Sequence, residues 1–185
     1  MKTTCFFGYR CLAFLALVML VGCSKSINPI VAEAQTRFLA SEIAGDPFSL
    51  ATANENFTEG MHVTVAGRIY ASSSSPFDPR VASFAIIELP EPGHNHDDPN
   101  DCPFCKRKAE LAASAIVQLC SSDGQPINMP ANKLLGLENN QDVVISGSCT
   151  QVGEILIINA DRLRVLEPDK AIEIAAGFNS ELKNK

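Results

Sequence analysis

Five short stretches rich in apolar and β-branched residues follow one another in the middle of the chain. Over residues 61–71, Val63 and Val65 fall on one side of an extended chain, whereas His62 falls on the other. Residues 81–89, 115–122, 142–152 and 154–166 are four further short stretches in which runs of apolar, often β-branched residues are interrupted by polar ones. Glycine, proline and small polar residues separate most of these stretches, as they do in turns. The pattern predicts five short strands, each with one buried and one exposed face.

Helical spacing is found on both sides of these strands and once between them. The four-residue spacing of Ile30, Ala34 and Phe38 predicts a helix over residues 29–44, ended by the glycine and proline at 45–47. Shorter helices are expected over residues 49–57 and 130–135, and in the tail from Pro168. The chain is therefore expected to be mainly β, with helices at its two ends and one between the third and fourth strands.

This order of elements resembles the OB-fold, a five-stranded barrel, over residues 58–166. Gly67 and Gly147 each follow a run of alternating residues, which is where a strand bends at a barrel corner. The resemblance implies an all-β, five-stranded OB-fold-like barrel with a short helix between strands 3 and 4 and an N-terminal helix. The predicted domain is similar to the exported OB-like domains of bacterial envelope proteins. Small β-sandwiches give comparable strings of strands and stay an alternative.

The first 22 residues have a charged start followed by an apolar stretch. Lys2 and Arg10 precede an apolar stretch, residues 11–20, that is too short to span a bilayer comfortably. The stretch ends in Leu20-Val21-Gly22-Cys23, which resembles the lipobox of bacterial lipoproteins. The resemblance implies that residues 1–22 are removed and that Cys23 is acylated and held in membrane lipid. The alternative is an ordinary secretory signal that happens to contain a cysteine.

The lipobox also implies a location and a division of the chain. Ser24, rather than aspartate, follows the cysteine, a pattern that accompanies sorting to the outer membrane, facing the periplasm. After the signal peptide we expect a lipid tether and N-terminal helical segment over residues 23–57, the barrel over 58–167, and a helical or polar tail over 168–185.

Charge argues against a nucleic-acid partner. Removal of the 22-residue leader from the 185-residue chain leaves 163 residues, enough for one domain with a buried core. The leader contains two of the 15 basic residues and none of the 21 acidic ones, so the remainder has 13 against 21, a net charge of −8. Binding to phosphates requires clustered lysine and arginine, and oligonucleotide binding therefore follows only from the fold resemblance.

Unusual chemistry is concentrated in one connection, residues 93–108, with the sequence GHNHDDPNDCPFCKRK. His94 and His96 project to the same side of an extended chain, and Cys102 and Cys105 are spaced as in a zinc knuckle. Two imidazoles and two thiolates form the tetrahedral set that Zn²⁺ prefers, and they also suit Cu(I). The sequence therefore predicts a structural metal site in this connection, with no catalytic residue assigned.

Two other readings of the same cysteines stay open. Cys102 and Cys105 can form a disulfide that rigidifies the connection, because the envelope is oxidising. Cys-Pro-Phe-Cys also resembles a glutaredoxin-type dithiol, although that family places the motif at the start of a helix. Here four prolines predict a loop over residues 90–112. Cys120 and Cys149 are expected on strands 3 and 4, either as buried thiols or as a disulfide.

These observations give two hypotheses of function. The first is a non-enzymatic, lipid-anchored binding module whose connection contains a metal or a disulfide and contacts an unknown protein or small ligand. The second is a periplasmic thiol–disulfide or metal-redox protein that acts through Cys102 and Cys105. The sequence leaves open whether the protein is an enzyme.

Overall fold

A computed structural model describes residues 28–72, 74–91 and 102–182. The strands are β1 (His62–Ile69), β2 (Ser83–Ile87), β3 (Ser114–Gln118), β4 (Asp142–Val152) and β5 (Ile155–Val165). The helices are α1 (Pro29–Phe38), α2 (Leu50–Glu55), α3 (Pro103–Leu111), α4 (Ala131–Leu135) and α5 (Pro168–Leu182). The five expected strands and the helix between the third and fourth are confirmed.

The five strands form one mixed sheet that closes on itself. Its strand order is β1-β2-β3-β5-β4, and β1 pairs with β4 to complete the ring. All pairs are antiparallel except β3 with β5, which are parallel. Because β5 lies between β3 and β4, the last strand in sequence is inserted between two earlier ones. The protein is thus a small β-rich fold with short helices.

The main hydrophobic core fills the ring. Each strand contributes at least one side chain with no exposed surface: Val65, Ile86, Val117, Ile145 and Ile158. Burial of each such side chain stabilises the folded state by about 1.5–3 kcal/mol relative to an exposed position. The helices α1, α2 and α4 add Phe38, Leu50 and Leu134 to the same core. The apolar residues of the five predicted strands therefore supply the side chains that face the core, as expected.

The helix α1 is shorter than expected, because it ends at Phe38 rather than at residue 44. The backbone then turns extended at Leu39, which forms a parallel bridge with Leu163 of β5. The Ala40 N–H donates to the Leu163 carbonyl oxygen over 2.9 Å. Pairing with the sheet thus replaces the intrahelical hydrogen bonds that a longer helix would make, a tertiary effect that side-chain spacing does not reveal.

The C-terminal helix α5 packs on the outside of the ring. Ala171 and Ala175 of α5 are buried against Ala66 of β1 and Val144 of β4, in a small second core. This contact fixes α5 next to the connection that follows β2, since Leu89 belongs to the same cluster. None of the helices in the described ranges is long and apolar enough to cross a bilayer.

Gly147 lies where β4 bends against β5. The β4–β5 register shifts between Ser146 and Gly147, as at a β-bulge. A Cβ atom at Gly147 would lie 2.2 Å from the Asn159 carbonyl oxygen, which is backbone and cannot move aside cheaply. Gly67 on β1 is also crowded, with the Ile87 carbonyl oxygen 2.8 Å from a built Cβ. The register shift at Gly147 agrees with the bend expected there, whereas β1 pairs with β4 without a shift at Gly67.

We expect Gly147→Ala to lower the free energy of unfolding by at least about 2 kcal/mol, because the added methyl group separates β4 from β5. Urea unfolding followed by circular dichroism measures this. Gly177→Ala is the matched control, because a Cβ there meets nothing within 4 Å, and helix propensity should raise stability by up to about 1 kcal/mol. Equal stability of the two variants would contradict the role given to Gly147.

Candidate functional site

The structure describes two of the residues assigned to the metal site. Cys102 and Cys105 lie at the start of α3, in the connection between β2 and β3. His94, His96 and the proposed lipidation site Cys23 lie outside the described residues. Within the described ranges, no three His, Cys, Asp or Glu side chains come close enough to hold a metal ion. The described part of the chain therefore contributes a pair of sulfurs.

The cysteine motif begins a helix, which corrects the expectation of a proline-rich loop. Cys102 is the N-cap of α3, with extended backbone angles of φ −132° and ψ 122°, and Pro103 occupies the first turn. Proline is favourable there because its fixed φ suits the helix and its missing N–H would have no intrahelical partner. The residues that follow, KRKAEL, are good helix formers. The four prolines indicated a loop, but one of them, Pro103, begins the helix.

The helix α3 turns its thiols towards the protein. Cys102, Cys105 and Ala109 are half-buried, while Phe104 and Leu111 are exposed. The one-turn separation of the two cysteines places both sulfurs on the inward side. Both are free thiols in this structure. The two sulfurs lie side by side, so oxidation could join them. The disulfide therefore stays a prediction about the oxidised protein.

The two thiols differ in acidity. The Cys102 sulfur does not meet the geometry of a side-chain cap. Even so, the backbone N–H of Cys105, the Cys105 thiol and the Phe104 N–H lower the pKa of the Cys102 thiol. The pKa of Cys105 is raised, mainly because its thiol donates to Cys102, whereas Lys108 opposes the shift. Cys102 is therefore the thiol that more readily becomes the thiolate, the form that binds metal or attacks a disulfide.

A cavity of about 660 Å³ adjoins the thiols. It is formed by α3, by the end of β2 and the residues that follow it, by the start of α2, and by α5. Its apolar lining includes Ile87, Leu89, Phe104, Leu111, Ala175 and Phe178. Its volume lies in the range of ligand pockets, which are mostly apolar with a few polar groups. We call it the α3 groove.

Glu88 is a polar group of the α3 groove that the sequence did not single out. Its Oε2 accepts a 2.9 Å hydrogen bond from the Ala51 N–H at the start of α2, whereas its Oε1 is buried without a hydrogen-bond partner. Burial raises the pKa of this carboxyl, although hydrogen bonds from the Ala51 and Leu50 backbone oppose the shift. The sequence signal is a glutamate directly after an apolar strand, which is too common a pattern to identify it.

Arg68, which also lines the α3 groove, is held by a structural ion pair. Its Nε and Nη2 donate to the two carboxylate oxygens of Asp142 over 2.7 and 2.8 Å. Both side chains are largely buried, and the paired geometry fixes the guanidinium against β4. His62, expected to be exposed, is so, and its Nε2 lies 3.1 Å from Asp161 Oδ2 on the surface.

The two remaining cysteines occupy different environments. Cys149 is buried in the main core, and burial raises the pKa of its thiol to about 11. Cys120 follows β3 rather than lying on it, is half-buried, and has a thiol pKa raised by burial. Both are free thiols. The sequence left open either two buried thiols or a disulfide. Both cysteines are free thiols here, and of the two only Cys149 is fully buried.

Comparison with known proteins identifies no family for this chain. No protein-family model matches it, and no curated protein sequence matches it significantly.

The acidity of the thiols predicts an order of reactivity. After reduction, at pH 7, we expect iodoacetamide to alkylate Cys102 first, Cys105 more slowly and Cys149 last. A thiol with a pKa of about 11 has about a hundredfold less thiolate than an ordinary cysteine, and burial slows its reaction further. Mass spectrometry of peptides from timed samples measures each rate. The assignment of the thiolate to Cys102 would be wrong if Cys105 reacted first.

Proposed function

We propose that this chain is a lipid-anchored protein of the bacterial envelope with an OB-fold barrel. The strand order β1-β2-β3-β5-β4, the parallel pairing of β3 with β5 and the position of α4 between β3 and β4 support the OB-fold. The charged start, the apolar stretch and the Leu-Val-Gly-Cys tetrapeptide of the leader support acylation of Cys23 and an outer-membrane location.

We further propose that the protein binds a soft metal ion through Cys102 and Cys105. The observation that carries this proposal is the pair of free thiols one helical turn apart at the start of α3. The lowered pKa of Cys102 supplies the thiolate that a metal ion requires. Binding in this form releases protons and therefore weakens as the pH falls.

The identity of the metal depends on how many ligands join the sulfurs. Zn²⁺ takes four tetrahedral ligands, so His94 and His96 would complete its site together with the two thiolates. Cu(I) also prefers thiolate ligands and is satisfied by fewer donors. Zinc is the ion that the full set of four ligands fits best, and a site that needs both thiols and neither histidine would indicate copper.

The weak attachment of α3 also supports a metal at this position. None of its nine residues is buried. A helix this short is marginal in water without tertiary packing. Because α3 has no buried residue, side-chain burial does not explain its stability. A metal ion that joins the start of α3 to the residues before it would supply the missing constraint, as structural metals do in small domains.

Thiol–disulfide exchange is the second candidate function, and the N-cap position of Cys102 favours it. An acidic first cysteine and a less acidic second one form a nucleophile and a resolving thiol. The dithiol would reduce a disulfide of another protein, becoming a disulfide itself while two thiols are released. This reading requires reactive thiols in the absence of metal, whereas the metal reading requires a stoichiometric ion.

The metal proposal is tested by elemental analysis of residues 24–185, purified without affinity tag or chelator. We expect about one zinc or copper per chain, lost in Cys102→Ser/Cys105→Ser. Cys120→Ser is the matched control, since Cys120 is also a half-buried free thiol but lies away from α3, and it should keep the metal.

The outcome also separates the two candidate functions. A chain without stoichiometric metal that reduces insulin disulfides, with loss of this activity in Cys102→Ser, would replace metal binding by thiol–disulfide exchange. Retention of the metal in the double-serine variant would eliminate the site itself. His94→Ala/His96→Ala should reduce zinc affinity strongly if the imidazoles are ligands, because three or four donors are needed for tight binding.

Lipid anchoring makes a separate prediction. When the full chain is expressed in a diderm bacterium, we expect the mature protein to begin at an acylated Cys23 and to fractionate with membranes. Cys23→Ser should abolish acylation and leave an uncleaved or soluble product. Intact-mass spectrometry of the purified protein decides this, and a mature N-terminus at any other residue would contradict it.

A further inference from the structure

Two large apolar side chains on the rim of the groove are almost uncovered. Phe104 and Leu111 are 86% and 78% exposed, the highest values among the large apolar residues of the described chain. They are seven residues apart on α3, two helical turns, and so lie on the same side. Phe178 of α5 also lines the groove. A continuous apolar surface of this kind on a soluble domain marks an interaction site.

Basic side chains border this apolar surface. Lys106, Arg107 and Lys108 are consecutive and exposed in a chain whose net charge is −6. By helical geometry, Arg107 and Lys108 fall on the two flanks of the line that joins Phe104 to Leu111. Lys108 also pairs with Glu91 over 2.7 Å, but an exposed pair of this kind is weak and exchanges readily. Against these three basic side chains stand two exposed acidic ones, Glu91 and Glu110, so the surface keeps an excess of positive charge that favours an acidic partner.

We propose that the α3 groove is the docking site of an amphipathic polypeptide segment with apolar and acidic side chains. Its apolar side chains lie against Phe104, Leu111 and Phe178, and its acidic side chains lie beside Arg107 and Lys108. The two turns between Phe104 and Leu111 extend over about 10 Å, which suits several residues of a partner better than one compact ligand. The proposal goes beyond metal binding, since it rests on the apolar and basic side chains of the groove rather than on the sulfurs.

Docking at this place has a second, measurable consequence. Cys102 and Cys105 line the same groove, so a bound segment covers them. Cys120 follows β3 at the other end of that strand and stays as accessible as before. Occupancy of the groove therefore slows alkylation of the first two thiols but not of the third, which provides an internal control within one chain.

The test uses residues 24–185, which contain every described element, and a fluorescent synthetic peptide with leucines on one helical face and glutamates on the other. We expect saturable binding by fluorescence anisotropy, and at least tenfold weaker binding of a peptide in which lysines replace the glutamates. Phe104→Ser/Leu111→Ser should weaken binding at least tenfold. Val152→Ser/Ile155→Ser is the matched control, because these exposed apolar residues at the β4–β5 turn do not line the α3 groove, and it should bind normally.

The same samples supply the alkylation readout. The acidic peptide should slow the reaction of Cys102 and Cys105 at least fivefold and leave Cys120 unchanged. Equal binding of the acidic and basic peptides, or normal binding by the Phe104/Leu111 variant, would overturn the proposal. Failure of both peptides with binding to phospholipid vesicles would overturn it in favour of a membrane surface. Peptide binding by a wild-type chain that contains no stoichiometric metal would refute metal binding and leave the docking site intact.

Discussion

The pairing of β1 with β4 is the interaction on which the other features depend, because it closes the sheet. Seven residue pairs join these strands, from His62 with Ser148 to Arg68 with Asp142. Closure removes the exposed edges of the sheet and encloses the apolar side chains of all five strands. It also determines where the connections emerge. The bidentate contact between Arg68 and Asp142 lies at the end of this pairing, next to the α3 groove, and joins the barrel end to the site.

The site is built on a helix, α3, that has no buried residue. The ring supplies rigid supports, namely the end of β2 and the packed helix α5, while α3 contributes the thiols with little burial of its own. Such a division is common where a binding element has to adjust to its ligand. It gives a single physical reason for both proposals, since a metal ion on the inward side and a partner on the rim each supply contacts that α3 lacks.

Local patterns carried the fold further than the site. Alternation identified the strands because each has one face towards the core, and Gly147 was identified because its neighbours alternate up to the bend. The end of α1 and the start of α3 were misjudged for opposite reasons. The first depends on a bridge to Leu163, distant in sequence, and the second on a proline that begins a helix rather than interrupting one. The α3 groove is lined by α3, α5 and Glu88, which are far apart in the sequence. No local pattern predicts that they lie close together. His94 and His96 stay predictions.

The insertion of β5 between β3 and β4 has a consequence for biosynthesis. A chain that emerges with its N-terminus first can pair β1 with β2 and β2 with β3 early, but the ring cannot close until residue 165 is available. Until then the apolar inner faces of four strands stay open to solvent and to other chains. Folding is therefore coupled to completion of the polypeptide, since no fragment that lacks β5 can close the ring.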